Sequence, residues 1–408
     1  MTTTYVRVAA FGLGTLLAVG CGGNSTITPP PISPSCVASS TPEFAYTLDP
    51  DTGAGDGGAA YAVSMYSVNS CTGALTSTSP ASVTTGIMPP NLGAEEMVAD
   101  PLGRFAYVAN LVSNATDEAT ISMYTVNSGT GILTSTAPAT VPTGFFPQEI
   151  AIDPLGRFVY TANSDDNSIS MFTINQSTGV LTPTSPATVS TVVPGNILWQ
   201  PNFLTVDPTG RFLYLTESLT NDAAVLMFNI DQTTGVLTPT SPATIGVGGW
   251  PWQVVITPSD KFAYVVNNLT GSDGSFGVFQ FTVNSTTGVL TPNNPAFVAS
   301  GNGPTEIAVD PTSKFAYVVN RQDNTLSMYT IDPGTGNLTL NTARANATGT
   351  IATGDEPFRA LFDLSGKFLY VANENGPASI YTVNNDGTLT AVGSTASSSL
   401  AIAFATPK

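Results

Sequence analysis

The sequence predicts an all-β protein, a seven-bladed β-propeller built from four-stranded antiparallel blades. An eleven-residue segment, DPLGRFVYTAN at residues 153–163, recurs about every 53 residues, and a shortened copy, FAYTLD, begins at Phe44. Each copy is followed by a strand-like segment of the SMYTVN type and then by a Thr-Gly-x-Leu-Thr turn or its Asp-Gly variant. A fixed period of this size, without helical patterning between the copies, is typical of a radial repeat. The full copies begin at Asp100, Asp153, Asp207, Thr257, Asp310 and Asp363.

The repeat around Asp153 shows why each unit is predicted to contain four strands. Residues 149–153 form a short β-branched run, and Asp-Pro-Leu-Gly supplies a turn because proline presets φ and glycine accepts a positive φ. Residues 158–163 and 169–175 alternate as strands, and Gln-Ser-Thr-Gly leads to a fourth strand at 180–183. We interpret the recurring Phe and Tyr side chains as packing between blades.

The first repeat lacks its innermost strand, since a proline-rich segment precedes Phe44. The C-terminal segment LAIAFATP, residues 400–407, has the character of the inner strands. We therefore expect the last residues to pair beside residues 44–49, so that the C-terminal strand closes the ring within the first blade.

Composition excludes several function classes. Only 10% of the 408 residues are charged, the formal net charge is -17, and there is no histidine. The negative charge disfavours nucleic-acid binding, because it repels a phosphate backbone. Without histidine, Ser-His-Asp and Cys-His mechanisms are impossible. We expect no cofactor, no bound metal and a monomeric chain.

The N-terminal residues predict export. Residues 1–20 contain one cation, Arg7, before an apolar run that is too short for a membrane span and is typical of a signal peptide. The segment ends in Leu-Ala-Val-Gly before Cys21, which resembles a bacterial lipoprotein processing site. We expect Cys21 to carry a lipid that anchors the protein in the cell envelope; the alternative is ordinary secretion. Residues 21–43 are interpreted as a flexible tether and residues 44–408 as the propeller.

Two further cysteines, Cys36 and Cys71, remain after Cys21. Export to an oxidising compartment favours a disulfide between them over a metal pair or a catalytic thiol.

Functional residues are predicted on one face of the propeller. The DPxG and xTG turns are uniform and cover one side, whereas the loops between blades and between the second and third strands vary. The tryptophans Trp199, Trp250 and Trp252 occur in the variable loops, and Arg321 and Arg359 are the clear cations there. Six other cations lie in the uniform turns and are interpreted as solvated charges.

Acidic residues recur just before the innermost strands. Glu96, Glu149 and Glu306 occupy equivalent positions in three repeats, at the predicted mouth of the central channel. Carboxyl groups that share a partly desolvated site include at least one with a raised pKa, which suits a general acid or base. A nearby arginine can stabilise an oxyanion. The alternative is that these side chains cap strand ends or hold water or a cation. The same position in three other repeats holds Gln253, Phe203 and Arg359.

The DPxGRFxYVAN, SMYT and TGxLT segments resemble those of the lactonase-type seven-bladed propellers, which include bacterial 6-phosphogluconolactonases and fungal carboxymuconate cyclases. The resemblance covers nearly all of the chain from Phe44 onward. It implies a site of His, Arg and Glu on the central face. Here the corresponding positions hold Glu149, Glu306 and Arg359, and histidine is absent. With two local cations, a sugar-phosphate substrate is not favoured.

Three hypotheses follow. The first is an exported lactone hydrolase in which Glu149 or Glu306 activates water and Arg359 polarises the carbonyl, while Arg321 and the other face residues bind substrate. The second is a non-catalytic propeller that binds a glycan or an envelope protein through its aromatic rim. The third is an esterase centred on Ca²⁺, with the three glutamates as oxygen ligands. The predicted substrate-binding residues are Glu96, Trp199, Trp250, Trp252, Gln253 and Arg321.

Overall fold

The computed structural model describes residues 42–49, 62–85, 94–111, 119–192, 200–218, 223–268, 276–343, 348–398 and 401–405. Within these ranges every regular element is a β-strand, and the strands form seven separate antiparallel sheets. No helix among these residues is long and apolar enough to cross a membrane. The predicted signal peptide, Cys21, Cys36 and Trp199 lie outside the described residues.

Each blade takes its strands from one stretch of the chain, apart from the first, which also includes the C-terminal strand. The first blade contains β1 (Phe44–Asp49), β2 (Ala62–Val68), β3 (Leu75–Thr84) and the C-terminal strand β29 (Ala401–Ala405). The second contains β4 (Ala94–Ala99), β5 (Phe105–Asn110), β6 (Thr120–Val126) and β7 (Leu133–Pro142). The third contains β8 (Pro147–Ile152), β9 (Phe158–Asn163), β10 (Ser168–Ile174) and β11 (Leu181–Ser190). The fourth contains β12 (Gln200–Val206), β13 (Phe212–Ser218), β14 (Ala224–Ile230) and β15 (Leu237–Gly246).

The remaining blades follow the same order. The fifth contains β16 (Pro251–Ile256), β17 (Phe262–Asn267), β18 (Gly277–Val283) and β19 (Leu290–Ala299). The sixth contains β20 (Pro304–Val309), β21 (Phe315–Asn320), β22 (Thr325–Ile331), β23 (Leu338–Leu340) and β24 (Thr350–Ala352), with the last two both paired to β22. The seventh contains β25 (Pro357–Phe362), β26 (Phe368–Asn373), β27 (Gly376–Val383) and β28 (Leu389–Ser398).

The predicted four-stranded repeat is confirmed, but its outermost strand is longer than expected. In the third blade β11 runs to Ser190, whereas the sequence predicted an end at Pro183. The register shifts between Phe172, which faces Pro183, and Ser170, which faces Thr188. This bulge keeps Pro186 out of the hydrogen-bonded ladder, where it could not donate, and pairing resumes beyond it.

Closure of the ring by the C-terminal strand is also confirmed. Strand β29 pairs antiparallel with β1, with Phe44 opposite Ala405 and Leu48 opposite Ala401. The ring of Phe404 lies 4.9 Å from that of Tyr370 in the seventh blade, so the last strand also packs across the seam. Strand β1 thereby gains a partner on the side that faces the channel, and the first blade reaches four strands.

The repeated aromatic residues join neighbouring blades, as predicted. In every blade a buried tyrosine on the second strand donates its hydroxyl to a glycine carbonyl in the Thr-Gly or Asp-Gly turn of the next blade, at 2.7–2.9 Å. The bond from Tyr370 to Gly73 closes the circle between the seventh and first blades. These glycines are required, because a Cβ on Gly131 would lie 2.3 Å from the Phe44 ring.

Candidate functional site

The inner strands present one side chain each at the top of the channel. In β8, β20 and β25 a proline begins the strand, and the register shifts between this proline and the third residue, which is Glu149, Glu306 and Arg359 respectively. The sequence placed these residues just before the innermost strands. The structure puts them inside the strands, just after a bulge, and a bulge re-aims the side chain that follows it.

Arg359 reaches across the channel opening. Its guanidinium Nη2 lies 3.1 Å from Glu149 Oε2 in the third blade and also forms an ion pair with Glu96 Oε2 in the second. The Arg359 side chain is only 17% exposed and each glutamate side chain 7%. A cation contributed by the seventh blade is therefore held by carboxylates from two blades that are not its neighbours, which places it near the propeller axis.

Glu306 connects three neighbouring inner strands. Its Oε2 accepts the backbone N–H of Ala360 at 2.9 Å, and its Oε1 accepts the amide of Gln253 at 3.0 Å. Gln253 in turn accepts the backbone N–H of Ile307 at 2.7 Å. These bonds fix the orientation of Glu306 without using all of its lone pairs, so a water molecule can still bind to the carboxyl group.

Burial dominates the protonation of this cluster. It raises the pKa of Glu149 well above its ordinary value, although Arg359 opposes the rise. Burial likewise raises the pKa of Glu306 to about 7, against the lowering effects of Arg359 and the Ala360 N–H. Burial would lower the pKa of Arg359, but Glu96, Glu149 and Glu306 together raise it, so the guanidinium stays charged. One cation among three buried carboxyl groups favours retention of a proton by at least one acid near neutral pH.

Aromatic rings surround the arginine and separate it from a second cation. The Arg359 guanidinium lies 5.5 Å from the Phe203 ring centre and 5.7 Å from that of Phe358. Arg321 approaches the same Phe358 ring at 5.8 Å. Trp252 meets Phe358 edge to face, with ring centres 6.2 Å apart. Both guanidiniums are thus within cation–π distance of Phe358.

Two cavities lie beside these groups. The first, of about 200 Å³, is lined by Glu96, Glu306 and Arg359 together with apolar residues of β4, β25 and β29. Glu149 does not line this cavity, but it forms an ion pair with Arg359, which does. The second, of about 420 Å³, is polar and includes Trp252 and Arg321. The predicted site residues therefore divide between a channel cavity and a rim pocket.

The remaining predicted residues take other positions. Trp250 is 47% exposed and lines neither cavity, and its backbone N–H donates to Asn267. Gln253 supports Glu306 from behind the channel cavity. Cys71 is disulfide-bonded, while its predicted partner Cys36 lies outside the described residues. The pairing of Cys36 with Cys71, the lipid on Cys21 and substrate contact by Trp199 stay predictions.

Two of the three glutamates pair with an arginine, and the cluster does not form an open cation site. Among the described residues, no group of three or more His, Cys, Asp or Glu side chains is arranged to hold a metal ion. The Ca²⁺-centred hypothesis required oxygen ligands pointing at a shared vacancy. In the structure, the guanidinium of Arg359 occupies the space between Glu96 and Glu149.

Sequence reasoning missed one buried acid, Glu217. It stands where five other repeats have asparagine, and the sequence signal was the ending YLTE in place of YVAN or YTAN. Asn163 at this position donates to serine hydroxyls on β10 at 3.1 and 2.9 Å. The residues of β14 in the corresponding register are Ala224 and Leu226, which offer no polar side chain.

Glu217 is consequently a buried carboxyl group that faces apolar side chains of β14. Its exposure is 0%, and neither oxygen makes a hydrogen bond of ordinary geometry with the described residues. Burial raises the pKa of Glu217 to about 8, and the hydroxyl of Thr191 offsets a little of that rise. At neutral pH the group is therefore mostly protonated.

Comparison with known proteins identifies the family. The sequence profile described as "Lactonase, 7-bladed beta-propeller" matches residues 60–199 and 203–404, which is most of the chain. The chain belongs to the lactonase family of seven-bladed β-propellers. The match includes all the inner strands that carry the channel cluster of this lactonase-family propeller.

Named relatives of this lactonase-family propeller are distant. It is 26% identical over 193 residues to 6-phosphogluconolactonase of Serratia proteamaculans, covering 46% of this chain and 54% of the relative. It is 28% identical over 178 residues to the Blochmanniella pennsylvanica enzyme of the same name, covering 41% of this chain and 49% of the relative. The chain matches about half the length of these curated relatives.

Solved structures share the fold. A periplasmic gluconolactonase from Pseudomonas aeruginosa superposes with a TM-score of 0.65 at 18% identity, covering 89% of this chain and 99% of that one. A candidate 6-phosphogluconolactonase from Bacteroides fragilis gives a TM-score of 0.67 at 21% identity, covering 89% and 98%. At these identities the likeness is one of fold.

Proposed function

We propose that this lactonase-family propeller hydrolyses a small uncharged lactone in the channel cavity. The observation that carries the proposal is the pairing, in one cavity, of a glutamate whose pKa lies near neutrality with a buried guanidinium. A general base works best when its pKa is close to the working pH, and a preorganised cation stabilises a developing oxyanion. The relatives are named as lactonases, which supports the ester bond of a lactone as the bond that is cleaved.

The chemistry needs only residues that line the cavity. Glu306, as the carboxylate, accepts a proton from water while the water oxygen attacks the lactone carbonyl carbon. Arg359 stabilises the negative charge that moves onto the carbonyl oxygen. Protonated Glu306 then returns the proton to the ring oxygen as the carbon–oxygen bond breaks, which yields a hydroxy acid. Glu149 acts as a positioning residue because it reaches the reaction only through Arg359.

An uncharged substrate fits the local charges better than a sugar phosphate. Arg359 is already paired with Glu96 and Glu149, and Arg321 is paired with Glu356 at 2.8 Å. Neither cation is left without a carboxylate partner, and the chain as a whole is strongly acidic. A phosphate dianion would therefore meet net repulsion at this face.

The activity is tested by titrating the acid released from glucono-1,5-lactone, with 6-phosphogluconolactone as the charged comparison and spontaneous hydrolysis subtracted. We expect kcat/KM to be at least about tenfold higher for the uncharged lactone. Glu306→Gln should lower kcat by about 10²–10⁴-fold, the usual contribution of a general base. Wild-type kcat/KM should rise with pH through an apparent pKa of about 7, because only the ionised Glu306 of the free enzyme is active, and this dependence should vanish in the variant.

A matched control is Glu43→Gln, which changes a glutamate that accepts the Leu364 N–H in the turn after β25 and does not line the channel cavity. Its activity should equal that of the wild type. Hydrolysis that persists unchanged in both Glu306→Gln and Arg359→Lys would rule out the proposed machinery.

We also propose that the protein is exported and lipid-anchored at Cys21. The apolar N-terminal segment and the residues before Cys21 support this location, and one structural neighbour is named as periplasmic. Mass spectrometry of the protein purified from membranes should find the mature chain beginning at an acylated Cys21. An unmodified N terminus elsewhere would contradict the anchor.

A further inference from the structure

The rim pocket lies between the fifth, sixth and seventh blades, beside but apart from the channel cavity. Its volume is about 420 Å³, which falls in the range typical of small-molecule sites. Its lining includes Trp252 within β16, Arg321 and Asn324 in the loop after β21, and Glu356 just before β25. The proposed hydrolysis uses none of these side chains.

Hydrogen bonds within the pocket wall hold its polar groups in place. Asn324 donates its amide to Asp355 at 3.0 Å and accepts the backbone N–H of Glu356 at 2.9 Å. Arg321 donates to Glu356 at 2.8 Å and also to Glu374. Asn324 and Glu356 both have positive φ, near 54° and 49°, a conformation that L residues with side chains rarely adopt. The wall is thus a preorganised set of alternating donors and acceptors.

The charge of the pocket selects against anions. One guanidinium, that of Arg321, pairs with Glu356 and Glu374, and the carboxyl group of Asp355 lines the same pocket. Hydrogen bonding by Arg321 lowers the pKa of Glu356, so this acid is ionised at neutral pH. A phosphate or carboxylate ligand would be repelled, whereas a hydroxyl group can accept from Arg321 or Asn324 and donate to the acids.

An aromatic side chain completes the site. Trp252 lines the pocket, and its backbone carbonyl accepts the Thr216 hydroxyl at 2.9 Å. Its ring stands nearly perpendicular to that of Phe358, at 87°. An indole held in this way supplies a flat apolar surface next to polar groups, which suits the C–H face of a sugar ring.

We propose that the rim pocket binds a neutral saccharide, through ring hydroxyls on Arg321, Asn324, Asp355 and Glu356 and through the ring face on Trp252. The Phe358 ring lies within 6 Å of both guanidiniums and separates this pocket from the channel cavity. The saccharides that test this pocket contain no lactone, so failure of saccharide binding can be distinguished from failure of lactone hydrolysis.

The experiment is calorimetric titration of the purified protein with maltose, cellobiose and lactose, which contain no lactone, and with gluconate, glucose 6-phosphate and glucosamine as charged comparisons. We expect saturable binding of at least one neutral disaccharide, and at least about tenfold weaker binding of the two anions. Trp252→Ala should weaken the binding by about tenfold or more, while Trp252→Phe should retain most of it, because a flat ring is kept.

Phe145→Ala serves as the control, since Phe145 is an exposed aromatic residue of the same face that does not line the rim pocket. It should bind the disaccharide as the wild type does. In the double variant Asp355→Asn/Glu356→Gln, gluconate should bind at least about tenfold more tightly, because the repelling charges are gone. The proposal would be overturned if no neutral disaccharide bound saturably at ligand concentrations up to 10 mM, which is about ten times a millimolar Kd. It would also be overturned if Trp252→Ala bound the disaccharide as tightly as the wild type, or if the protein preferred cationic glucosamine.

Discussion

Replacing Arg359 by methionine should destabilise the protein by about 3–5 kcal/mol at pH 8, the usual cost of removing one partner from a buried ion pair. The change leaves Glu96 and Glu149 without their shared counter-charge, although their side chains are only 7% exposed. Because the three glutamates can escape the penalty by taking up protons, the loss should be clearly smaller at pH 5 than at pH 8. Urea denaturation at the two pH values measures both effects.

Arg321→Met is the matched control for this experiment. Arg321 also bridges two glutamates, but its side chain is 35% exposed and that of Glu356 44%, so solvent screens the pair. We expect a loss of no more than about 1 kcal/mol for such an exposed pair. Equal stability of wild type and Arg359→Met at pH 8 would mean that the channel cluster is not held together by charge.

Glu217 should make the protein less stable as the pH rises from about 4.5 to about 8. The unfolded chain ionises Glu217 near its ordinary pKa of 4.5, whereas the folded chain keeps the proton until about pH 8. Over this window the unfolded state binds fewer protons, so the free energy of unfolding falls. A shift of this size corresponds to about 3–5 kcal/mol at pH 8. Glu217→Gln should recover most of it, measured as a higher urea midpoint at pH 8 and little change at pH 4.

Asp165→Asn provides the comparison, since Asp165 is an exposed acid in the loop between β9 and β10. Its stability should stay within about 0.5 kcal/mol of the wild type at both pH values. If Glu217→Gln shows the same pH dependence as the wild type, the buried carboxyl is not the source. Glu306 and Glu149 also have raised pKa values and will leave a part of the slope in the variant.

Periodicity alone predicted the architecture because a propeller repeats one set of local contacts seven times. Each Phe and Tyr of the FxY motif meets the same glycine turn in the next blade, so the motif contains both halves of the inter-blade contact. The same argument identified residues 400–407 as the missing inner strand, because they have the pattern of the other inner strands, and Ala401–Ala405 form it. The outer strands were less predictable, because bulges around their prolines depend on the partner strand.

The equivalent positions of Glu96, Glu149, Glu306 and Arg359 were also visible in the sequence, since radial symmetry brings equivalent residues to one axis. The repeat could not specify which of these different side chains bond to one another near the axis. Only the tertiary structure paired Arg359 with Glu96 and Glu149, directed Glu306 to the Ala360 N–H, and placed Phe358 between two arginines. The raised pKa of Glu217 was likewise visible only in the tertiary structure. Burial and the residues facing it from the next strand determine its pKa, and both arise from contacts between segments that the local sequence does not encode.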